Sequence, residues 1–146
     1  MKKIKKPTWN EVWLSMAQII SRRSHHPESK VGAIVVTEDN TQVLSVGYNG
    51  NAAGLSNEPE SLEPGCSGLL HAEINALLKL DYNNPKGKKM YITLSPCDYC
   101  ARAIVNSKID TVFYADEYRD TKGIDILRMA GINVQRLNKA AESVYL

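Results

Sequence analysis

Near the start of the chain, apolar residues recur every three or four positions. Thr8 and Glu11, three residues apart, have the pattern of a capping box at the start of a helix. The apolar spacing continues to about Arg23 and predicts an amphipathic helix that ends there. Trp9 and Trp13 share this spacing, so we expect both tryptophans to pack in the core.

Two apolar stretches rich in β-branched residues follow, VGAIVVT at 31–37 and QVLSVGY at 42–48. The four residues EDNT separate them, which favours a β-hairpin. Residues 49–68 then form a long segment rich in Gly, Asn, Pro, Ser and Glu. Because structureless segments of this length are uncommon inside compact domains and are often functional, we expect a functional loop here.

From residue 71 onward, helical and strand patterns alternate. The predicted elements are a helix over 71–80, a strand over 89–95, a helix over 98–108, a strand over 110–115, a helix over 121–131 and a strand over 132–137. Strands that alternate with helices favour parallel pairing and right-handed crossovers, whereas the leading hairpin supplies an antiparallel pair. The sequence therefore predicts an α/β fold of three α/β/α layers around a five-stranded mixed sheet.

Composition restricts the class of protein further. The chain has 146 residues, of which 43% are hydrophobic and 23% charged, with a formal net charge of +2. These values are ordinary for one globular domain over residues 1–146, and the charge implies neither a nucleic-acid nor a membrane partner. The N-terminal MKKIKKP has no apolar run behind it and so differs from a signal peptide. We expect a cytoplasmic protein.

Two of the three cysteines, Cys97 and Cys100, follow Pro96 in the segment SPCDYC. A stable disulfide is disfavoured in a reducing compartment, and three cysteines cannot all pair within one chain. A redox CxxC pair, a pair of metal ligands and a coincidence remain open at this point.

Metal-binding residue types gather at two predicted helix starts. His71 and Glu73 begin one helix, and Cys97 and Cys100 begin another. Loops that enter helices of this kind meet at one edge of the sheet, where ligands tend to bind. Two thiolates and one imidazole suit Zn²⁺, and a helix N-terminus favours the thiolate form of cysteine. The spacing therefore favours a zinc site.

The number of ligands distinguishes a catalytic zinc site from a structural one, because structural sites normally have four protein ligands. No fourth ligand is evident: His25 and His26 are far upstream, and for the isolated Cys66 a small buried side chain is the commoner role. Glu73, two residues after His71, points to another side of its helix and need not bind the metal. A carboxylate there can move protons beside a metal-activated water.

These residues match a known signature. The segments His71-Ala72-Glu73 and Pro96-Cys97-Asp98-Tyr99-Cys100 fit the H-x-E and P-C-x-x-C pattern of zinc deaminases. The chain resembles the cytidine/deoxycytidylate deaminase superfamily over about residues 9–137. It is most similar to its deoxycytidylate (dCMP) deaminases in the segments HPESKVGAIVV, GYNG, HAEINAL, SPCDYCARAIV, YADEYRD and MAGINVQRL.

The resemblance implies a cytidine-deaminase-like fold and hydrolysis of dCMP to dUMP and ammonia. It implies that His71, Cys97 and Cys100 hold a Zn²⁺ that activates water, and that Glu73 shuttles the protons. It places Asn49, Ala72 and Ser95 around the substrate. Tyr118 and Arg119, which follow the predicted strand over 110–115, are two further candidate substrate-binding residues. An aromatic ring at 118 could stack on a base and an arginine at 119 could hold a phosphate, although an exposed loop could carry both without a role.

The resemblance also implies a homo-oligomer, often a hexamer, that dCTP with Mg²⁺ activates and dTTP inhibits. Its effector residues would be Lys30, Tyr48, Gly50 and Asn51. Gly47 and Gly50 would let the backbone approach a phosphate closely. Many family members follow GYNG with Thr-Pro or Met-Pro, whereas Asn51 and Ala52 follow here, so we expect an altered effector response.

Three other functions stay open. The substrate could be another cytosine or adenine compound, such as cytidine, dCTP or adenosine in tRNA, although a tRNA substrate would usually accompany a basic surface. The protein could instead be a non-catalytic zinc-binding module. Such a module would not need Glu73 and would bind zinc with four protein ligands.

Overall fold

The structure is a computed structural model that describes residues 5–139. Its elements are α1 (Trp9–Ser21), β1 (Gly32–Thr37), β2 (Val43–Tyr48), α2 (Ala72–Leu77), β3 (Lys88–Leu94), α3 (Asp98–Asn106), β4 (Thr111–Asp116), α4 (Lys122–Met129) and β5 (Asn133–Arg136). The lysine-rich residues 1–4, part of the segment compared with a signal peptide, lie outside the described residues. The prediction of one domain over 1–146 also extends beyond them and stays a prediction.

Helix α1 begins with the predicted capping box. The Thr8 hydroxyl accepts a hydrogen bond from the Glu11 amide, and the Glu11 carboxylate accepts one from the Thr8 amide, each at 3.1 Å. Trp13 is buried and donates its indole N–H to the Asn40 side chain at 2.9 Å. Trp9 remains 53% exposed and stacks on Trp13 at 5.1 Å between ring centroids. The expectation of core packing is therefore correct for Trp13 and wrong for Trp9.

The sheet has the strand order β2-β1-β3-β4-β5. Strand β1 is antiparallel to both β2 and β3, whereas β3, β4 and β5 run parallel. This is the predicted mixed sheet, in which the hairpin supplies the antiparallel strands. Because of these directions, the ends of β2, β3 and β4 and the start of β1 all meet at one edge of the sheet. The segments that leave or enter there are the ones that carry the candidate site residues.

Both faces of the sheet are covered, which gives the predicted three layers. Ile34, Tyr91 and Phe113 belong to the cluster that packs against α1. Their strand neighbours Met90 and Val112 belong to the cluster beneath α2, α3 and α4, as the alternation of side chains along a strand requires. Full burial of an aliphatic side chain stabilises a fold by about 1.5–3 kcal/mol, so these two clusters hold the sheet edge in place.

Helix α2 is shorter than the predicted helix over 71–80, because it ends at Leu77. Leu78 is 69% exposed although the apolar run continues through it. The Tyr82 hydroxyl donates to the Leu77 carbonyl at 2.7 Å, so a side chain beyond the helix bonds one of its last carbonyls.

Among residues 5–139, none of the helices combines the length and the apolar character needed to cross a membrane.

Gly47 brings β2 against α2. A Cβ atom at Gly47 would lie 2.3 Å from the Ala72 carbonyl oxygen and 2.5 Å from the Ala76 amide nitrogen, distances that no side chain can occupy. The expectation that Gly47 serves close approach of a phosphate is therefore corrected: the residue is a glycine because a helix packs on it. At Gly50 a Cβ would meet nothing closer than the Asn57 Oδ1 at 3.4 Å.

The loop over 49–68 has the predicted irregular structure, with its two ends held together. Gly50 and Leu70 form an isolated antiparallel bridge, with N–O distances of 3.1 and 2.9 Å. Asn51 donates its side-chain N–H to the Ser56 carbonyl at 2.6 Å. The loop therefore leaves and re-enters the fold at one point, beside the start of α2.

Candidate active site

Two helix N-termini bring the three predicted metal ligands together. His71 is the N-cap of α2 and Cys97 is the N-cap of α3. The His71 Nδ1 lies 3.3 Å from the Cys100 Sγ and 3.6 Å from the Cys97 Sγ, and the three ligand atoms all lie within 4.8 Å of one another. His71 precedes Cys97 by 26 positions and Cys100 by 29 positions. The structure thus brings together the predicted group from two distant parts of the sequence.

The geometry of this group fits zinc. Tetrahedral bonds of about 2.3 Å to sulfur and about 2.0–2.1 Å to nitrogen would place the ligand atoms about 3.5–3.8 Å apart. The observed separations of 3.3 and 3.6 Å are close to this range. No other group of metal-binding side chains occurs within residues 5–139. Three protein ligands leave one coordination position open, which is typical of catalytic zinc.

The two thiols are electrostatically coupled. A hydrogen bond from Cys100 lowers the pKa of Cys97 to about 4, and the nearby His71 acts in the same direction. The same hydrogen bond, together with burial, raises the pKa of Cys100. The contact with Cys97 also raises the pKa of His71. Two sulfur atoms this close ionise together only beside a positive charge, so the pair is suited to a bound cation.

Glu73 lies in the first turn of α2 and is only 4% exposed. Burial raises the pKa of its carboxyl group, and the proximity of His71 opposes that shift. A carboxyl group with a raised pKa can both accept and return a proton near neutral pH. Asn75 fixes the helix that carries it, because its side-chain N–H donates to the Tyr48 carbonyl at 2.9 Å. Glu73 therefore has the placement that a proton shuttle requires.

Gly123 sets the distance between α4 and the loop that carries Cys97. A Cβ atom there would lie 2.1 Å from the Pro96 carbonyl oxygen and 2.8 Å from that of Cys97. Glycine inside a helix costs about 1 kcal/mol relative to alanine, and close packing explains why it is present. The pattern of the sequence contained no signal for this contact.

A cavity of about 350 Å³ opens beside the metal-ligand group, a volume within the usual range for small-molecule sites. All five residues predicted to surround the substrate line it: Asn49, Ala72, Ser95, Tyr118 and Arg119. The segment 62–65, with Ser67, forms part of the wall, as expected of a functional loop. Arg119 carries the only lysine or arginine side chain on this wall within the described part of the chain.

Hydrogen bonds hold several of these side chains in place. The Asn49 Oδ1 accepts from the Val31 amide at 2.9 Å, and its Nδ2 donates to the Ser29 carbonyl at 2.7 Å. The Ser95 hydroxyl accepts from the Tyr118 amide at 2.6 Å. The ends of β2, β3 and β4 therefore present a rigid wall to a ligand.

Of the four predicted effector residues, Lys30 lines a second cavity of about 570 Å³. Tyr48, Gly50 and Asn51 line neither this cavity nor the one beside the metal-ligand group. The Asn51 amide donates to the Asn57 Oδ1 at 2.9 Å, so this residue folds its own loop.

Cys66 differs from expectation. Expected to be a small buried side chain, it is exposed in the loop over 49–68, because that loop contributes no buried face at this position. His26 is not part of the metal-ligand group, as expected, but it lines the cavity beside that group, the active cavity. Its only signal in the sequence was its place in the segment HPESKVGAIVV.

Comparison with known proteins agrees with this site. Residues 7–116 match the model of the cytidine and deoxycytidylate deaminase zinc-binding region. The human deoxycytidylate deaminase is 30% identical over 141 residues, covering 88% of this chain and 79% of its own length. The deoxycytidylate deaminase of Mycobacterium phage D29 is 38% identical over 127 residues, covering 77% and 98%.

Among solved structures, the dCMP deaminase of cyanophage S-TIM5 in complex with dCMP and dUMP aligns with a TM-score of 0.79. It is 36% identical and covers 92% of this chain and 100% of its own. The fold and site thus define a zinc-dependent deaminase. The chain belongs to the cytidine and deoxycytidylate deaminase family. The predictions of the fold class, of zinc and of a deaminase are confirmed, and the roles of individual residues remain predictions.

Proposed function

We propose that this protein catalyses the hydrolytic deamination of dCMP to dUMP and ammonia. The observation that carries the proposal is the buried Glu73 beside the His71–Cys97–Cys100 group, on the wall of a cavity of nucleotide size. Relatives named as deoxycytidylate deaminases, and the cyanophage enzyme with dCMP and dUMP, support the choice of nucleotide. They bear out the function predicted from the sequence.

The chain's own residues account for the proton transfers. His71 Nδ1 and the sulfur atoms of Cys97 and Cys100 would hold zinc, which when bound supplies Lewis-acid activation of water. Glu73 accepts the proton of the attacking water and delivers it to the ring N3 of the base. It then takes the remaining proton from the new hydroxyl group on C4 and delivers it to the amino group. The C4–N bond breaks as the C4 carbonyl forms, so that water is consumed and ammonia is released. Burial of Glu73 excludes solvent from this exchange.

Other wall residues would bind the rest of the nucleotide. Arg119, as the one guanidinium on the described wall, would pair with the phosphate. Tyr118 lies beside it, with the guanidinium 5.8 Å from its ring centroid. Asn49 would contact the sugar end, and the backbone around Ala72 and Ser95 would line the base.

The substrate is tested by following ultraviolet absorbance with dCMP, dCTP, deoxycytidine and cytidine offered separately. We expect dCMP to give the highest kcat/KM, because a phosphate gains the pairing with Arg119 that a nucleoside lacks. A higher kcat/KM for another of these compounds would identify that compound, instead of dCMP, as the substrate. Turnover of none of them by protein with bound zinc would contradict the enzymatic function and favour a non-catalytic module.

Assembly and regulation belong to the same proposal. We infer a cytoplasmic homo-oligomer, a hexamer by resemblance, that dCTP with Mg²⁺ activates and dTTP opposes. An effector must bind the active and inactive states unequally to shift their balance. The position of Lys30 on the wall of the second cavity supports a role for its ammonium group in binding a triphosphate.

We expect sigmoidal dependence of the rate on dCMP that becomes hyperbolic with dCTP and Mg²⁺. Gly50→Val should remove this response while zinc and basal activity persist, because a branched side chain blocks approach to phosphate. The variant should fold, since a Cβ there would meet its nearest neighbour at 3.4 Å. Initial rates across dCMP concentrations, with and without each triphosphate, check this. Identical curves under all conditions would show that the chain lacks the regulatory property.

A further inference from the structure

His26 lies in the turn between α1 and β1 and is only 7% exposed. Its Nδ1 accepts two backbone hydrogen bonds, from the Glu28 amide at 3.1 Å and from the Ser29 amide at 2.8 Å. Its own amide donates to the Ser24 hydroxyl at 3.2 Å, and that hydroxyl donates to the Asn49 carbonyl at 2.9 Å. The ring is therefore held rigidly beside a residue of the active cavity.

These bonds determine where the ring proton lies. A nitrogen that accepts two N–H groups carries no hydrogen of its own, so the proton of the His26 imidazole is on Nε2. Within residues 5–139 the Nε2 has no hydrogen-bond partner. It is also not among the fully buried unpaired atoms. Because His26 lines the active cavity, this N–H is a fixed donor that a ligand can reach.

The other donors on the wall indicate what this N–H meets. His71 belongs to the metal-ligand group, and the Asn49 side chain already bonds the backbone through both its oxygen and its nitrogen. The remaining side-chain N–H donors on the described wall are those of Arg119 and His26, beside the hydroxyl groups of its serines and of Tyr118. A phosphate monoester presents several acceptor oxygens and needs more than one donor.

On the basis of the proposed function, we propose that His26 is a specificity-determining residue that donates its Nε2–H to the phosphate of dCMP. It acts together with Arg119, which supplies the charge. The imidazole supplies a hydrogen bond in a fixed direction. The site thereby distinguishes a nucleotide from the corresponding nucleoside.

The test is His26→Asn. An asparagine side chain can accept the amides two and three residues on, as in an Asx turn, but it has no group in the place of Nε2. We expect kcat/KM for dCMP to fall by about 10–100-fold, the value of one hydrogen bond to a charged group, mainly through KM. For deoxycytidine the change should be under about threefold, because the nucleoside has no phosphate. The matched control is His25→Asn, an exposed neighbour that should leave both substrates unaffected.

Equal losses with dCMP and deoxycytidine would overturn the proposal, because they would indicate a contact to the sugar or a structural role. An unchanged KM for dCMP would overturn it as well. Absence of dCMP turnover in the unmodified protein would instead contradict the proposed function, so the two failures are distinguishable.

A second measurement needs no substitution and keeps the proposal testable if the variant does not fold. In ¹⁵N-labelled, zinc-loaded protein, the His26 Nε2–H resonance should shift on titration with dUMP and not with deoxyuridine. A shift of equal size with both compounds, or with neither, would contradict a contact to phosphate.

Discussion

Glu73→Gln is expected to lower kcat for dCMP by ~10²–10⁴-fold, the contribution of one general acid–base group. Glutamine keeps the shape and the hydrogen-bonding capacity of the side chain but cannot accept a proton. The residue is buried at 4% exposure, so water cannot easily substitute for its carboxylate. Zinc should stay near one per chain, because the metal-ligand group is formed by the other three side chains.

Steady-state kinetics together with elemental analysis of the purified variant checks this expectation. Glu58→Gln, in the exposed part of the loop over 49–68 and away from both cavities, is the matched control and should keep full activity. Loss of zinc in the Glu73 variant would instead make Glu73 a ligand and would remove the basis for a shuttle.

Replacing Cys97 or Cys100 by serine should abolish zinc binding and activity together. A hydroxyl is a much poorer zinc ligand than a thiolate, and only two protein ligands would remain. The loss of activity should exceed the roughly 10–100-fold effect of changing an outer-shell partner of a metal ligand. The melting temperature should fall as well, because a metal that binds only the folded state stabilises it.

Cys66→Ser is the matched control for both variants. Its side chain is exposed and lies outside the metal-ligand group, so zinc content, activity and melting temperature should remain those of the unmodified protein. Elemental analysis, the dCMP assay and thermal unfolding measure the three quantities. A Cys97 or Cys100 variant that is fully active without zinc would contradict the metal-dependent mechanism.

The sequence predicted the layers of this fold because local signals were strong. The capping box at Thr8 and the apolar periodicities were sufficient to predict the type and the order of each helix and strand. The hairpin pattern did not show that β1, and not β2, would pair with β3, because the neighbours of a strand depend on long-range packing. The end of α2 at Leu77 depends on the Tyr82 hydroxyl beyond the helix, which the apolar run over 71–80 could not indicate.

The site was predictable where chemistry repeats at short spacing, as in His71 with Glu73 and Cys97 with Cys100. A site residue was not predictable where only a contact between distant parts of the chain brings its side chain to the cavity. His26 comes to the wall because Ser24 bonds the Asn49 backbone, a contact between residues 25 positions apart that no periodicity encodes. Close packing at Gly123 is a contact of the same kind.

The exposure of Cys66 has a practical consequence. Its chain neighbours Gly65 and Ser67 line the active cavity, while its own thiol faces solvent. The other two thiols are at least partly buried and would be shielded by zinc, so a maleimide dye will attach at Cys66. A fluorophore at that position sits on the rim of the cavity without touching the reacting groups. The protein therefore carries a natural attachment point for an optical reporter of nucleotide arrival and departure on the stopped-flow timescale.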